Sequence, residues 1–166
     1  LDQARTLIKE FWGERYSFGI GAISILSTWA EELGSRPLVV GNVHHLRGPL
    51  NAHHIIPGCA PNTPVSDVDR IRRAILVSEP DCIIAVGGGS TIDGVKAACA
   101  WAVLGGELES YFGTGKVSEA LTIQGKEMVP LIAVQTASGS GAHLTKYANV
   151  TFENQGQKKL IVDEAL

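Results

Sequence analysis

Asp81-Cys-Ile-Ile-Ala-Val86 runs directly into Gly87-Gly88-Gly89-Ser90-Thr91, and from Thr91 to Leu104 the chain is apolar on nearly every side. A continuous apolar run of strand length fits a strand covered on both faces, as in a parallel sheet under helices. The helix that follows carries Ile92, Val95, Cys99 and Ala102 on one side and Ala97, Ala98 and Trp101 on others, so it must itself be buried. Three glycines make the corner between them. Upstream, Ser66 with Asp69 three residues later predicts a capped helix start, Val68, Ile71 and Ile75 form its core stripe, and Pro80 closes it. Leu38–Val40 reads as a short buried strand stopped by Gly41-Asn42, and His54–Ile56 as a candidate second strand. The latter lies in a segment, 43–64, whose four prolines and two glycines fix no boundary. Asp2–Trp12 and Ala22–Leu33 have helical spacing, ended by Gly13 and Gly34. Downstream, Val129–Gln135 is another strand, and Leu144–Phe152 with Lys158–Val162 across Asn154-Gln-Gly156 suggests a late antiparallel hairpin. Alternating strands and helices predict a layered, Rossmann-like α/β domain with a mainly parallel sheet and right-handed crossovers.

Length and composition narrow the classes. The 166 residues suit a single domain over 1–166, and 45% hydrophobic against 19% charged residues exclude a disordered tail. A formal charge of −3 with scattered Lys and Arg gives no surface for a phosphate backbone, so no nucleic acid is expected. Apolar stretches such as Cys82–Val86 and Val129–Val134 are of strand length, and no membrane anchor is expected. Cys59, Cys82 and Cys99 lack C-x-x-C spacing and read as small hydrophobes. The opening lacks a basic, apolar leader, which predicts a cytoplasmic address.

Ligands of open parallel sheets sit at the carboxyl ends of strands, where both glycine-rich corners fall. Gly87-Gly88-Gly89-Ser90-Thr91 can offer backbone N–H groups and the positive end of a helix to a phosphate, although a tight turn alone could also use these residues. A β-branched residue at Gly88 is expected to collide with pyrophosphate or to forbid the turn. Asp93 and Lys96, two charges at the mouth of an apolar helix, point to a ligand cleft more than to a surface ion pair. The second corner, Gln135-Thr-Ala-Ser-Gly-Ser-Gly-Ala-His143, offers hydroxyls and amides suited to ribose, phosphate or carboxamide; the residues leave open whether it binds or is merely a flexible loop. His44-His45 and His53-His54 have no ligand spacing and read as surface residues, while His143 should line a cleft rather than hold a metal.

Gly87-Gly-Gly-Ser-Thr-Ile-Asp93-Gly-Val-Lys96 closely resembles the G-G-G-S-x-x-D-x-x-K signature of iron-containing alcohol dehydrogenases. Phe18-Gly19-Ile-Gly21 resembles that family's opening F-G-x-G, and Pro130 through Thr145 its P-x-x-x-x-T-x-x-G-x-G-x-x-x-T segment. The chain departs from the commonest form at Gln135, Ala137-Ser138, Ala142 and His143. The resemblance implies an amino-terminal domain binding NAD or NADP in an enzyme that moves hydride between the cofactor and a small alcohol or aldehyde. A divalent metal, iron by family, would sit in a helical domain absent from these residues. No metal ligand and no catalytic residue is therefore expected within 1–166, and the fragment alone is expected to be inactive. By position, Gly87, Gly88, Gly89 and Ser90 would hold the pyrophosphate, with Gly19 and Gly21 across the groove. Thr136, Ser140 and Thr145 would lie around the cofactor, Lys96 near the ribose and Asp93 toward the nicotinamide. Asn42, where a carboxylate after the first strand would repel a 2′-phosphate, leaves NADP tolerated and favoured, with His44, His45 and Arg47 nearby in sequence. Glycerol dehydrogenase-like and dehydroquinate synthase-like enzymes, and a non-catalytic nucleotide module, are the alternatives; a homo-oligomer is compatible with all of them.

Overall fold

The computed structural model describes residues 2–42 and 54–166. Four parallel strands form the main sheet: β1 (Pro37–Gly41), β2 (His54–Ile56), β3 (Cys82–Gly87) and β5 (Leu131–Gln135), in the order β2-β1-β3-β5. Register pairs Leu38 with Ile83 and Ile83 with Leu131, so β3 and β5 end level at Gly87 and Gln135 and β1 ends one residue earlier, with Gly41 opposite Val86. The alternation of side chains across the pleat sorts the core. Leu38, Val40, Ile83 and Ala85 face α3 (Val65–Ser78) and α4 (Gly89–Leu104), while Val39, Ile84 and Val86 face α2 (Leu26–Leu33) through Leu26 and Ala30. Helices on both faces explain why β1 and β3 are unbroken apolar runs. α1 (Asp2–Trp12) precedes them.

A second sheet joins β4 (Gly113–Thr114), β7 (Gln157–Val162) and β6 (Tyr147–Phe152), the last two forming the antiparallel hairpin. It lies on the far side of α4, contributing Ala148, Val150, Phe152 and Ile161 to the core cluster that contains Ile92 and Val95. Covered by α3, the main sheet and β6, α4 is buried continuously from Thr91 to Ala100. That enclosure is the physical counterpart of its missing polar face.

Several boundaries differ from the sequence reading. Helix α3 begins at Val65 behind Pro64, and Ser66 makes no cap; its hydroxyl reaches Glu153 instead, and Asp67 accepts from the Ala60 N–H at 2.8 Å. The segment 22–33 is split into a 3-10 turn, Ala22–Ile25, entered from Gly21 at φ +80°, and α2. The hairpin strand starts at Tyr147, since 142–145 is drawn into hydrogen bonds with α4. Helix α5 (Lys116–Gln124) and β4 have no counterpart in the sequence reading. The start of α5 is supplied from elsewhere: buried Asp163 accepts from the Val117 and Ser118 N–H groups at 2.9 and 3.0 Å and from the Ser118 hydroxyl. A distant carboxylate thus serves as the cap that local sequence lacks.

Candidate functional site

Three strand ends and the start of α4 meet at one edge of the main sheet, held by close backbone approaches. At Gly41 (φ +134°) a Cβ would fall 1.9 Å from the Val86 carbonyl oxygen. A Cβ on Gly87 would meet Thr91 at 2.8 Å, and one on Gly89 would meet Ser140 Oγ at 2.7 Å. Gly88 is different. Its φ of −81° and ψ of −175° are open to any residue, and a Cβ there would find only Ala137, at 3.8 Å. Packing therefore explains Gly87 and Gly89, while nothing in the fold requires glycine at 88, so the turn itself would not forbid a side chain. Gly88 stands at the start of a 16-residue helix whose first N–H groups lack intrahelical partners. An unfilled surface beside a positive helix end suits an anion.

Ser90 and Thr91 turn toward a loop that the sequence reading left without boundaries. The Asn62 N–H donates to Ser90 Oγ at 3.0 Å, the Cys59 N–H to Thr91 Oγ1 at 3.2 Å, and the Thr63 hydroxyl to the Ser90 carbonyl at 3.1 Å. Asn62 and Thr63 hold φ of 69° and 55°, a left-handed conformation uncommon in non-glycine residues. The Pro61-Asn-Thr-Pro64 density of turn formers was the signal available for this wall. Burial pushes the Cys59 thiol up to about 12 and Cys99 to about 11, leaving both as the inert hydrophobes their setting suggested.

The second corner abuts the first: the Thr136 N–H donates to the Gly87 carbonyl at 3.0 Å, and Ser140 packs against Gly89. It is fastened from α4. Lys96, 3% exposed, donates to the carbonyls of Ala142 at 2.7 Å, Thr145, and Tyr147 at 3.3 Å. Asp93, 8% exposed, accepts from the Asn149 N–H at 3.1 Å and from its side-chain amide at 3.0 Å. The two charges do not form a surface ion pair: each is bonded within the protein, and Lys96 also borders the cleft beyond β5. The second sheet covers them, so the ammonium's donors and the carboxylate are occupied within the protein. Burial pulls the Lys96 pKa below the ordinary lysine value, with Asp93 opposing.

Beyond β5, which among the described residues has no strand partner on its outer side, lies a cleft of about 850 Å³. Its walls include Phe18, Trp29, Ile132, Val134, Thr136 and His143. His143 lines a cleft as its position beside the glycines suggested. It stacks on Tyr16 with ring centres 5.7 Å apart, its Nε2 lies 3.2 Å from the Tyr16 hydroxyl, and its Nδ1 contacts Gln135 Oε1. Gly19 and Gly21, at φ of 105° and 80°, sit in the turn between Phe18 and Ala22. Asn42 follows β1, its N–H 3.3 Å from the Val86 carbonyl. His44, His45, Arg47 and His53 lie outside the described residues. Among the described residues no three His, Cys, Asp or Glu side chains gather as a metal site, and Asp163 is engaged in holding α5. These residues do not fit a metal ion.

No described helix is long and apolar enough to cross a membrane. The family model of iron-containing alcohol dehydrogenases matches residues 13–166. The chain is 31% identical to alcohol dehydrogenase 4 of Schizosaccharomyces pombe over 111 residues, 67% of this chain and 25% of that protein. It is 31% identical to the NAD-dependent methanol dehydrogenase of Bacillus methanolicus over 86 residues, 52% of this chain and 21% of that one. Among solved structures, an alcohol dehydrogenase from Oenococcus oeni superposes with a TM-score of 0.75 at 27% identity, over 88% of this chain and 40% of that one. The chain thus spans about a quarter of the length of the first two curated relatives.

Proposed function

The chain belongs to the iron-containing alcohol dehydrogenase family, and from that premise we propose that it is the nucleotide-binding domain of a longer two-domain enzyme exchanging hydride between NAD(P) and a small alcohol or aldehyde. The observation that carries this reading is Gly88, the one corner glycine that the fold does not need. A ligand needs it: a side chain there would occupy the space in which a pyrophosphate approaches the backbone amides. Gly87, Gly89 and Ser90 complete the cradle. From it the dinucleotide has two directions. The adenosine half runs toward Gly41 and Asn42, where no carboxylate follows β1 and a 2′-phosphate is tolerated, so NADP is accepted and favoured. The nicotinamide half runs over Thr136 and Ser140 toward the cleft beyond β5, with Gly19, Gly21 and Thr145 at its margins.

When bound, the cofactor supplies the hydride acceptor; this domain's own work is to bind and orient it. Asp93 and Lys96 contribute by holding the second corner in place. The metal that polarises the substrate oxygen belongs to another part of the enzyme, and this domain alone is inactive in alcohol oxidation. A cytoplasmic setting fits this reading. Calorimetric titration of the chain with NAD(H) and NADP(H) tests it: binding by the native chain, lost in a Gly88→Val variant with an unchanged melting temperature, is the expected result. Unaltered affinity in the folded variant removes the cradle, and a strong preference for NAD overturns the cofactor assignment.

A further inference from the structure

Tyr16 of the leading segment meets Gln135 and His143, the two ends of the second corner, at the wall of the cleft. Their hydrogen bonds have one consistent direction. Gln135 Nε2 donates to the Ala137 carbonyl at 2.7 Å, which turns Oε1 toward the imidazole. Oε1 can only accept, so His143 Nδ1 carries the hydrogen, and Nε2 is left as an acceptor for the Tyr16 hydroxyl. The phenol, having given its hydrogen to Nε2, keeps its oxygen lone pairs for a donor. Tyr16 and His143 both line the cleft beside Thr136, itself bonded to the phosphate corner. Gln135 and His143, eight positions apart, thus bond to each other across the second corner.

Resting on the reading of this cleft as the nicotinamide and substrate end, we propose that Tyr16 and His143 form a proton relay that takes up the hydroxyl proton of an alcohol bound there. The alcohol O–H bond breaks as an O–H bond forms on Tyr16, and the phenol's original proton passes to His143 Nε2. The resulting imidazolium keeps its Nδ1–H on Gln135 Oε1. The C–H electron pair leaves as hydride to the oxidised nicotinamide, so protons, charge and electrons balance. A relay of this kind needs the ring neutral at rest. Burial first, and repulsion from Lys96 second, hold its pKa below the ordinary histidine value. The charged groups bordering the cleft are Lys96 of α4, Glu14 and Arg15 of the leading segment, and Glu32 of α2. Gln135 is not a proton carrier. It is a positioning residue that fixes the tautomer.

Nitrogen NMR of the 15N-histidine-labelled chain, titrated with and without NAD⁺, reads the relay directly. The resonance lost in His143→Gln should show the Nδ1–H tautomer at neutral pH and titrate below the other histidines, and Tyr16→Phe should raise its pKa by removing the donor to Nε2. An Nε2–H tautomer, or titration with the other histidines, overturns the proposal. In the complete dehydrogenase, His143→Gln or Tyr16→Phe should lower kcat for alcohol oxidation by about 10²-fold and displace the acid limb of its pH profile, with NAD⁺ affinity within twofold of native. An acid limb unmoved in both variants also overturns it. Failure of both NAD⁺ and NADP⁺ to bind the native chain would instead count against the parent reading, so the two failures are distinguishable.

Discussion

The two glycine-rich corners sit at neighbouring strand ends, yet they are built in opposite ways. The first is shaped by its own residues: β3 stops at Gly87, α4 starts at Gly89, and the glycines accommodate Thr91 and Ser140 at contact distance. The second takes its form from Lys96, a residue 46 positions before Ala142, which gathers three carbonyls into one buried knot. A corner specified locally can be recognised from a short motif. A corner specified by a remote side chain cannot.

The largest expected effect breaks the second corner from a distance. Lys96→Met keeps the apolar stem but leaves buried carbonyls without donors, at about 3 kcal/mol or more. Thermal unfolding of the ligand-free chain should show the loss, and hydrogen exchange should quicken at 142–147 sooner than at 82–87. Unchanged stability of the ligand-free variant would show that Lys96 serves only a bound ligand.

Asp163 extends the comparison to a helix that is also organised remotely. Asp163→Ala should cost on the order of 2–3 kcal/mol, because three backbone N–H groups and a hydroxyl lose a charged acceptor. Burial pushes this carboxyl's pKa up, but the Ser118 and backbone hydrogen bonds outweigh it and leave the net value below the ordinary aspartate range. The folded state therefore binds its proton less readily than the unfolded chain. The stabilisation is complete above the unfolded pKa and is lost as pH falls through the folded one. Acid titration of the melting temperature should be shallower over that window in Asp163→Ala than in the native chain.

A smaller effect sharpens the first corner. Gly89→Val should destabilise by about 1–3 kcal/mol, since Ser140 must move, whereas Gly88→Val should melt with the native chain and fail only in nucleotide binding. Equal melting of all three would dissolve the distinction between packing and ligand glycines. The smallest effect is the control. Lys146 lies immediately after Thr145, but its partner is exposed Glu164, so Lys146→Ala should leave the melting temperature unchanged. The lysine adjacent in sequence should matter little, and the one far away a great deal.

Sequence alone determined the parallel strands, the buried helix α4, the hairpin and the first corner. Each rests on a short-range pattern, either a hydrophobic period or glycines next to a strand end, and such patterns survive without knowledge of distant neighbours. His143 was legible as a cleft residue for the same reason. Tertiary structure alone decided what the buried charges do. That Lys96 gathers the carbonyls of 142–147 and Asp93 meets Asn149 depends on β6 and that segment folding over α4, which a sequence does not show. It also decided that Gly88 is the corner glycine that packing does not require, that Asp163 starts α5, and that Tyr16 closes on His143 from 127 residues away. Those outcomes depend on which groups become neighbours once water is excluded, when every buried donor and acceptor has to find a partner wherever the chain brings one.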